Sequence, residues 1–225
     1  SRYGLFPFAP SMDTVGFFTR TVKDCGYLLN VTSGRDENDS TSSTREVEDY
    51  VRLIGKPVEG LKVAVIKEIN EAVKDKDIMN AFNKTIEGLK AKGVVVEEVS
   101  LDTTMLASVF PTYFVISCAE ATSNNANLDG IKFGPYYDGK TYQEVMFNAR
   151  TAGFSELIKR RFVIGSYALM RENQDELFQR AQKNRRKIVN AVNVVLANYD
   201  FIYTPASPKV APVKDESGDR LNEEY

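Results

Sequence analysis

The chain has 225 residues, 43% of them hydrophobic, with 29 Lys plus Arg against 31 Asp plus Glu and no histidine. That length and apolar content suffice to bury a core, and the near-balance of charge excludes a strong overall field drawing the chain non-specifically to nucleic acid or a membrane surface. The lack of histidine excludes a Ser-His-Asp or Cys-His apparatus built from these residues and removes the commonest nitrogen ligand for zinc.

Cys25 and Cys118 sit in apolar, helix-like surroundings far apart in sequence, the pattern of buried reduced thiols rather than of a disulfide framework. No apolar run reaches the roughly 18 residues of a spanning helix and no charged-then-apolar leader is present, so a soluble protein of the cytoplasm, or of an organellar matrix, is expected.

Thr21-x-x-Asp24 resembles a capping box, and Val22, Cys25, Leu28 and Leu29 recur at helical spacing, which predicts a helix over 21–32 closed by Gly34. A polar loop follows at about 34–43. Ser43-x-x-Glu46 predicts another short helix burying Val47, Tyr50, Val51 and Ile54. Leu61–Ile66 is a β-branched run, Ile78, Phe82, Ile86 and Leu89 mark an amphipathic helix stopped by Gly93, and Val94–Val99 is a second strand. Strand, helix, strand is a βαβ crossover, which requires parallel strands. Residues 105–127 read as helix, with Pro111 at a kink or a fresh first turn, then a Gly- and Tyr-rich loop at about 128–141. Residues 155–199 read as two helices or one broken helix, and Asp200–Thr204 as a strand ended by Pro205. The expected fold is therefore α/β, a mixed or parallel sheet with flanking helices, in one domain over 1–225.

Asn127–Gly134 offers glycines but neither Gly-x-Gly-x-x-Gly nor a Gly-Lys-Ser/Thr ending, so it does not read as a phosphate cradle. Arg180, Lys183, Arg185, Arg186 and Lys187 read as the solvated face of a helix. Asp13 with Asp24, and Glu97 with Glu98, are too scattered to define a carboxylate pair. Arg161 beside Arg160 reads as a solvated helix arginine, and Tyr113 as a core aromatic with its hydroxyl tied to backbone.

Five blocks, in order and at similar spacing, carry a resemblance. They are Ser1–Leu5 with Phe8-Ala9-Pro10-Ser11-Met12-Asp13; Tyr113-Phe114, Ser117–Ala121 and Ser123-Asn124; Asp129-Gly130-Ile131-Lys132-Phe133-Gly134; Lys159-Arg160-Arg161 with Gly165 and Tyr167; and Thr204-Pro205-Ala206-Ser207-Pro208. Together they are similar to the amidase signature family, within it the branch of the glutamyl-tRNA(Gln) amidotransferase A subunits. The departures are Phe17 for a usual proline, Cys118 for a serine and Lys132 for an arginine.

The resemblance implies an amidase-signature-like α/β fold, incomplete here, and a component that hydrolyses glutamine for transamidation of Glu-tRNA(Gln). It implies a serine nucleophile activated through a second, cis-peptide serine by a neutral lysine, all three expected upstream of residue 1, so no catalytic side chain is assigned within the chain. Two substrate-binding positions carry over: Arg161 to the α-carboxylate of glutamine and Tyr113 by its hydroxyl. No metal or cofactor is expected in the chain, with ATP and magnesium in a partner. The implied partners are glutamine, amidotransferase subunits B and C and, through the complex, Glu-tRNA(Gln), without a membrane. A non-catalytic binding or assembly module of the same fold, or another amidase, are the alternative readings.

Overall fold

In the structure, a computed structural model that describes residues 3–211, the helices are α1 (Val22–Thr32), α2 (Tyr50–Leu53), α3 (Lys67–Ala72), α4 (Lys76–Ala91), α5 (Thr103–Ala107), α6 (Val109–Asn124), α7 (Tyr142–Gly153), α8 (Glu156–Leu169) and α9 (Arg180–Leu196). Strand β1 (Lys62–Ile66) precedes α3, β2 (Val95–Val99) follows α4, and β3 (Phe201–Ile202) follows α9. Ser1 and Arg2 of the opening motif lie outside the described residues. The chain forms two compact units: Ser1–Pro57 with Val115–Phe178, and Val58–Phe114 with Gln179–Tyr225.

The second unit is built on a parallel sheet in the order β2-β1-β3. β1 is its centre, pairing Lys62 with Val95 through Ile66 with Val99 on one side and Val63 with Phe201 on the other. A central parallel strand is covered on both faces, which is why it reads as an unbroken apolar run; Val63 and Ala64 are fully buried. Asp75 caps α4, its carboxylate accepting from the N–H groups of Asp77 and Ile78. The helix lays Phe82 flat against Tyr203, ring centroids 5.0 Å apart. Gly93 turns the chain into β2 at φ +81°, a left-handed conformation that favours glycine. The βαβ expectation thus holds, with α3 as an addition absent from the sequence pattern.

At the end of β1, the Glu68 carboxylate accepts from the Ser100 hydroxyl and, at 3.0 Å, from the Leu101 N–H. These donors, the Ser100 hydroxyl foremost, hold its pKa below the ordinary value of 4.5. A lowered folded pKa contributes stability that is present above the unfolded value and is lost as pH falls through the folded one. Glu68→Gln is therefore expected to lower the thermal midpoint at neutral pH and to shrink its fall on acidification below pH 4.5. Midpoint-against-pH curves that run parallel to wild type would contradict this.

In the first unit α1 begins as expected: the Thr21 hydroxyl accepts from the Asp24 N–H at 3.1 Å. The Ser43 helix does not form. The Ser43 hydroxyl accepts from Arg45 N–H within a local turn, while Asp49 accepts from the N–H groups of both Val51 and Arg52 and is itself bonded by the Asn30 side-chain amide. That better-braced cap starts α2 at Tyr50, and Val47 and Ile54, expected to be buried, are each 41% exposed. α7 is not among the helices expected from sequence; it is capped by Thr141, whose hydroxyl accepts from Glu144 N–H at 3.2 Å. Pro111 falls in the first turn of α6, where its missing N–H breaks no helical bond. The 155–199 stretch resolves into α8, a turn, a π-helical turn Asp175–Gln179 and α9.

The core of this unit is the later part of α6, where Ile116, Ser117, Cys118, Ala119 and Ala121 are each at most 1% exposed. One sequence expectation is corrected at this helix. The 25-residue stretch Thr103–Asn127 is long and apolar enough, by length and composition, to cross a membrane. Thr, Ser and Pro interrupt its apolar run and hide that length from a search for unbroken apolar residues, although Glu120 is its one charged residue beyond position 103. Of its most apolar window 33% is buried, the Ile116–Ala121 part supplying the core of this unit.

Gly165 of α8 lies directly against the Cys118 carbonyl and the Thr122 hydroxyl of α6, where an added Cβ would collide with both. Since the Cys118 contact is backbone, Gly165→Ala is expected to destabilise by roughly 1–3 kcal/mol, read as a lower denaturation midpoint in urea. An unchanged midpoint would mean that α6 and α8 part without cost.

Candidate functional site

The site begins with a knuckle, Pro7–Asp13. Asp13 accepts from Phe8 N–H at 2.7 Å and from Ala9 N–H at 3.1 Å, and the Ala9 carbonyl accepts from Met12 and Asp13 N–H at 2.8 and 2.9 Å. Ala9 is 2% exposed. Two residues one turn apart on α6 then hold the knuckle. Glu120 accepts from Ser11 N–H at 2.9 Å and from the Ser11 hydroxyl at 2.5 Å, one on each carboxylate oxygen, and the Asn124 side-chain amide donates to the Pro7 carbonyl.

α8 supplies Arg161. Ser155 caps this helix, and Phe162 is turned into the core, edge-on to Phe154 at 4.9 Å. The three cations of Lys159-Arg160-Arg161 separate by environment. Lys159 pairs with Glu156 at 2.5 Å and donates to the Thr151 carbonyl, Arg160 is exposed, and Arg161 is half-buried with its guanidinium over the Phe8 ring, 5.5 Å from the centroid. The positive charge of Arg161 also reaches the buried Cys118 thiol. Burial pushes that thiol's pKa up, and the Arg161 charge and the Ser117 hydroxyl oppose the shift. Cys118 is thus kept as a neutral core group.

Arg150 has a separate task. Its guanidinium lies 5.0 Å from the Phe154 ring and 5.1 Å from that of Phe162, and Nη1 donates to the Asn125 and Leu128 carbonyls at 3.0 Å each. It anchors the start of the 128–141 loop. There Asp129 accepts from Ile131 and Lys132 N–H at 2.8 and 3.0 Å, which spends the backbone donors a phosphate would need.

Tyr113 lies on the part of α6 that belongs to the second unit, 39% exposed, its ring 6.2 Å from that of Phe110. Arg161 belongs to the first unit. In the second unit the side-chain amide of Asn184 on α9 donates to the hydroxyls of Ser108, which precedes α6, and of Thr112 on α6, at 2.8 and 2.7 Å. Among the described residues no group of three or more Cys, Asp or Glu could hold a metal ion. Asp13 and Glu120 are site-builders that sequence reasoning does not single out. Both stand in the blocks that carry the family resemblance, and that is the signal that could have found them.

The fold and this site define a member of the amidase family, and the chain belongs to it: the Amidase family model matches residues 1–224. Among curated relatives it is 39% identical over 219 residues to the glutamyl-tRNA(Gln) amidotransferase A subunit of Thermotoga maritima, covering 96% of this chain and 46% of the relative. It is 40% identical over 227 residues to the protein of the same name from Alkaliphilus metalliredigens, covering 98% and 45%. The crystal structure of the Thermotoga maritima protein superimposes with a TM-score of 0.73 at 36% identity, covering 99% of this chain and 43% of that one. A peptide amidase bound to chymostatin matches at a TM-score of 0.60 and 18% identity, a likeness of fold. The chain spans less than half the length of these relatives.

Proposed function

We propose that these residues form the substrate-side wall of a glutamine amidohydrolase, of the kind that serves as the A subunit of glutamyl-tRNA(Gln) amidotransferase. The observation that carries this is Arg161: a half-buried guanidinium, backed by the Phe8 ring, in the position that the Lys-Arg-Arg block assigns to reading an α-carboxylate. A planar fork of donors suits a carboxylate, because two parallel charge-assisted bonds fix both its place and its plane. In this reading the Tyr113 hydroxyl gives a second polar contact to the bound amide. With the amino-acid end held, the side-chain amide is presented to a serine nucleophile contributed by polypeptide outside the 225 residues, in which Gly-Gly-Ser does not occur. Attack on the amide carbon forms a glutamyl ester on that serine and expels ammonia, and water then hydrolyses the ester to glutamate; the ammonia passes to the B subunit, where ATP and magnesium would activate the glutamate on misacylated tRNA. The single-domain reading, the partnership with subunits B and C and a place in translation in the cytoplasm or an organellar matrix belong to the same proposal.

The test is reconstitution. The complete polypeptide carrying these residues, assembled with subunits B and C, is expected to convert labelled Glu-tRNA(Gln) to Gln-tRNA(Gln) with glutamine and ATP. Hydrolysis of some other amide with none of glutamine would assign it to a different amidase, and assembly without hydrolysis to a binding module.

A further inference from the structure

We infer that the Pro7–Asp13 knuckle is a positioning device for Arg161, and that Glu120 and Phe8 are the residues through which it sets the preference for amides bearing an α-carboxylate. This rests on the proposed glutamine reading and deepens it.

A guanidinium on a long, flexible stem reads a carboxylate well only when its plane is fixed. The Phe8 ring, its centroid 5.5 Å from Cζ, lies beneath the guanidinium and backs it. The ring is held from both sides. On one, the Pro7 carbonyl accepts from Asn124; on the other, Ser11 makes two bonds to Glu120. Between those anchors Asp13 takes the Phe8 and Ala9 N–H groups, and the buried Ala9 side chain plugs the turn into the core. Glu120 and Asn124 are four residues apart on α6, so one helix face holds the whole knuckle. α8 carries Arg161, and Gly165 one turn further on lies directly against the same stretch of α6. The guanidinium and the ring beneath it are therefore referenced to one helix. Glu120 touches no substrate in this scheme; it acts through Ser11 and Phe8.

The experiment compares kcat/KM for glutamine with that for γ-aminobutyramide, which lacks the α-carboxylate, in the complete enzyme. Glu120→Ala and Phe8→Leu are each expected to lower the glutamine value about 10- to 100-fold while leaving the analogue within about threefold, collapsing the selectivity ratio. Glu120→Gln, which can still accept from Ser11 N–H and meet its hydroxyl, and Phe8→Tyr, which keeps the ring, are expected to restore the ratio. A merely structural role would lower both substrates together. A ratio kept in Glu120→Ala and Phe8→Leu but lost in Arg161→Ala overturns the positioning role alone. A ratio kept in Arg161→Ala overturns the glutamine reading beneath it.

Discussion

The 225-residue chain on its own is expected to release no ammonia from glutamine above a protein-free blank. Amide hydrolysis through an acyl intermediate needs a nucleophile, a base to deprotonate it and donors for the oxyanion. With no histidine in the sequence, the described serines that meet a carboxylate closely include Ser100, on a Glu68 whose other oxygen takes the Leu101 N–H, and Ser11, whose hydroxyl lies 2.5 Å from an oxygen of Glu120. That short bond invites comparison with an activated serine. The second carboxylate oxygen, however, takes the backbone N–H of the same Ser11, so the carboxylate grips the residue as a clamp and both of its oxygens are committed. Ser117 is fully buried and out of reach of any substrate. Ammonia release from the purified chain, with cooperative unfolding as proof of folding, is the measurement. Release abolished by Ser11→Ala would falsify the view that the nucleophile comes from elsewhere.

What is legible in the sequence follows the length over which a signal is written. The β1 run and the Phe82 helix with its Gly93 stop are local and long, and both are found where expected. α3 escapes because six residues following β1 directly, with no side-chain cap at Ile66, offer neither period nor start signal. α7 carries a sound signal, Thr141-x-x-Glu144, hidden by the glycines and tyrosines of the loop before it. Ser43 and Asp49 show the opposite failure. Two cap signals stand six residues apart, and the choice between them is made by Asn30, a tertiary partner that no local window includes.

The candidate site divides the same way. Arg161 is reached through resemblance, since its own helix offers three adjacent cations and nothing local to distinguish the third. The distinction is made by Phe8, which lies in a different block of the sequence. The Ser11–Glu120 clamp joins residues 109 apart, and only the folded core, with α6 buried at its centre, brings them together. The residues that build the site are thus present in the recognised blocks, while their pairing is not.

Replacement of Arg161 by alanine in the complete enzyme is expected to lower kcat/KM for glutamine by on the order of 2 to 4 kcal/mol, about 30- to 900-fold. The estimate is that of a charge-assisted pair whose partner is left in a partly dehydrated place. Arg161 is half-buried, with an aromatic ring on one face and the neutral thiol of Cys118 within reach of its charge. In the proposed reading a carboxylate bound there would gain charge-assisted donors that alanine cannot supply. Arg161→Lys keeps the charge but loses the plane that packs on Phe8 and the fork that grips both oxygens, so it is expected to recover little of the loss. The loss should appear largely in KM if the contact is equally strong in ground and transition states, and in kcat if it holds the amide in line for attack. Steady-state glutamine kinetics of both variants decide the matter. Wild-type values in Arg161→Ala would remove this arginine from the site, and full recovery in Arg161→Lys would reduce its role to that of a point charge.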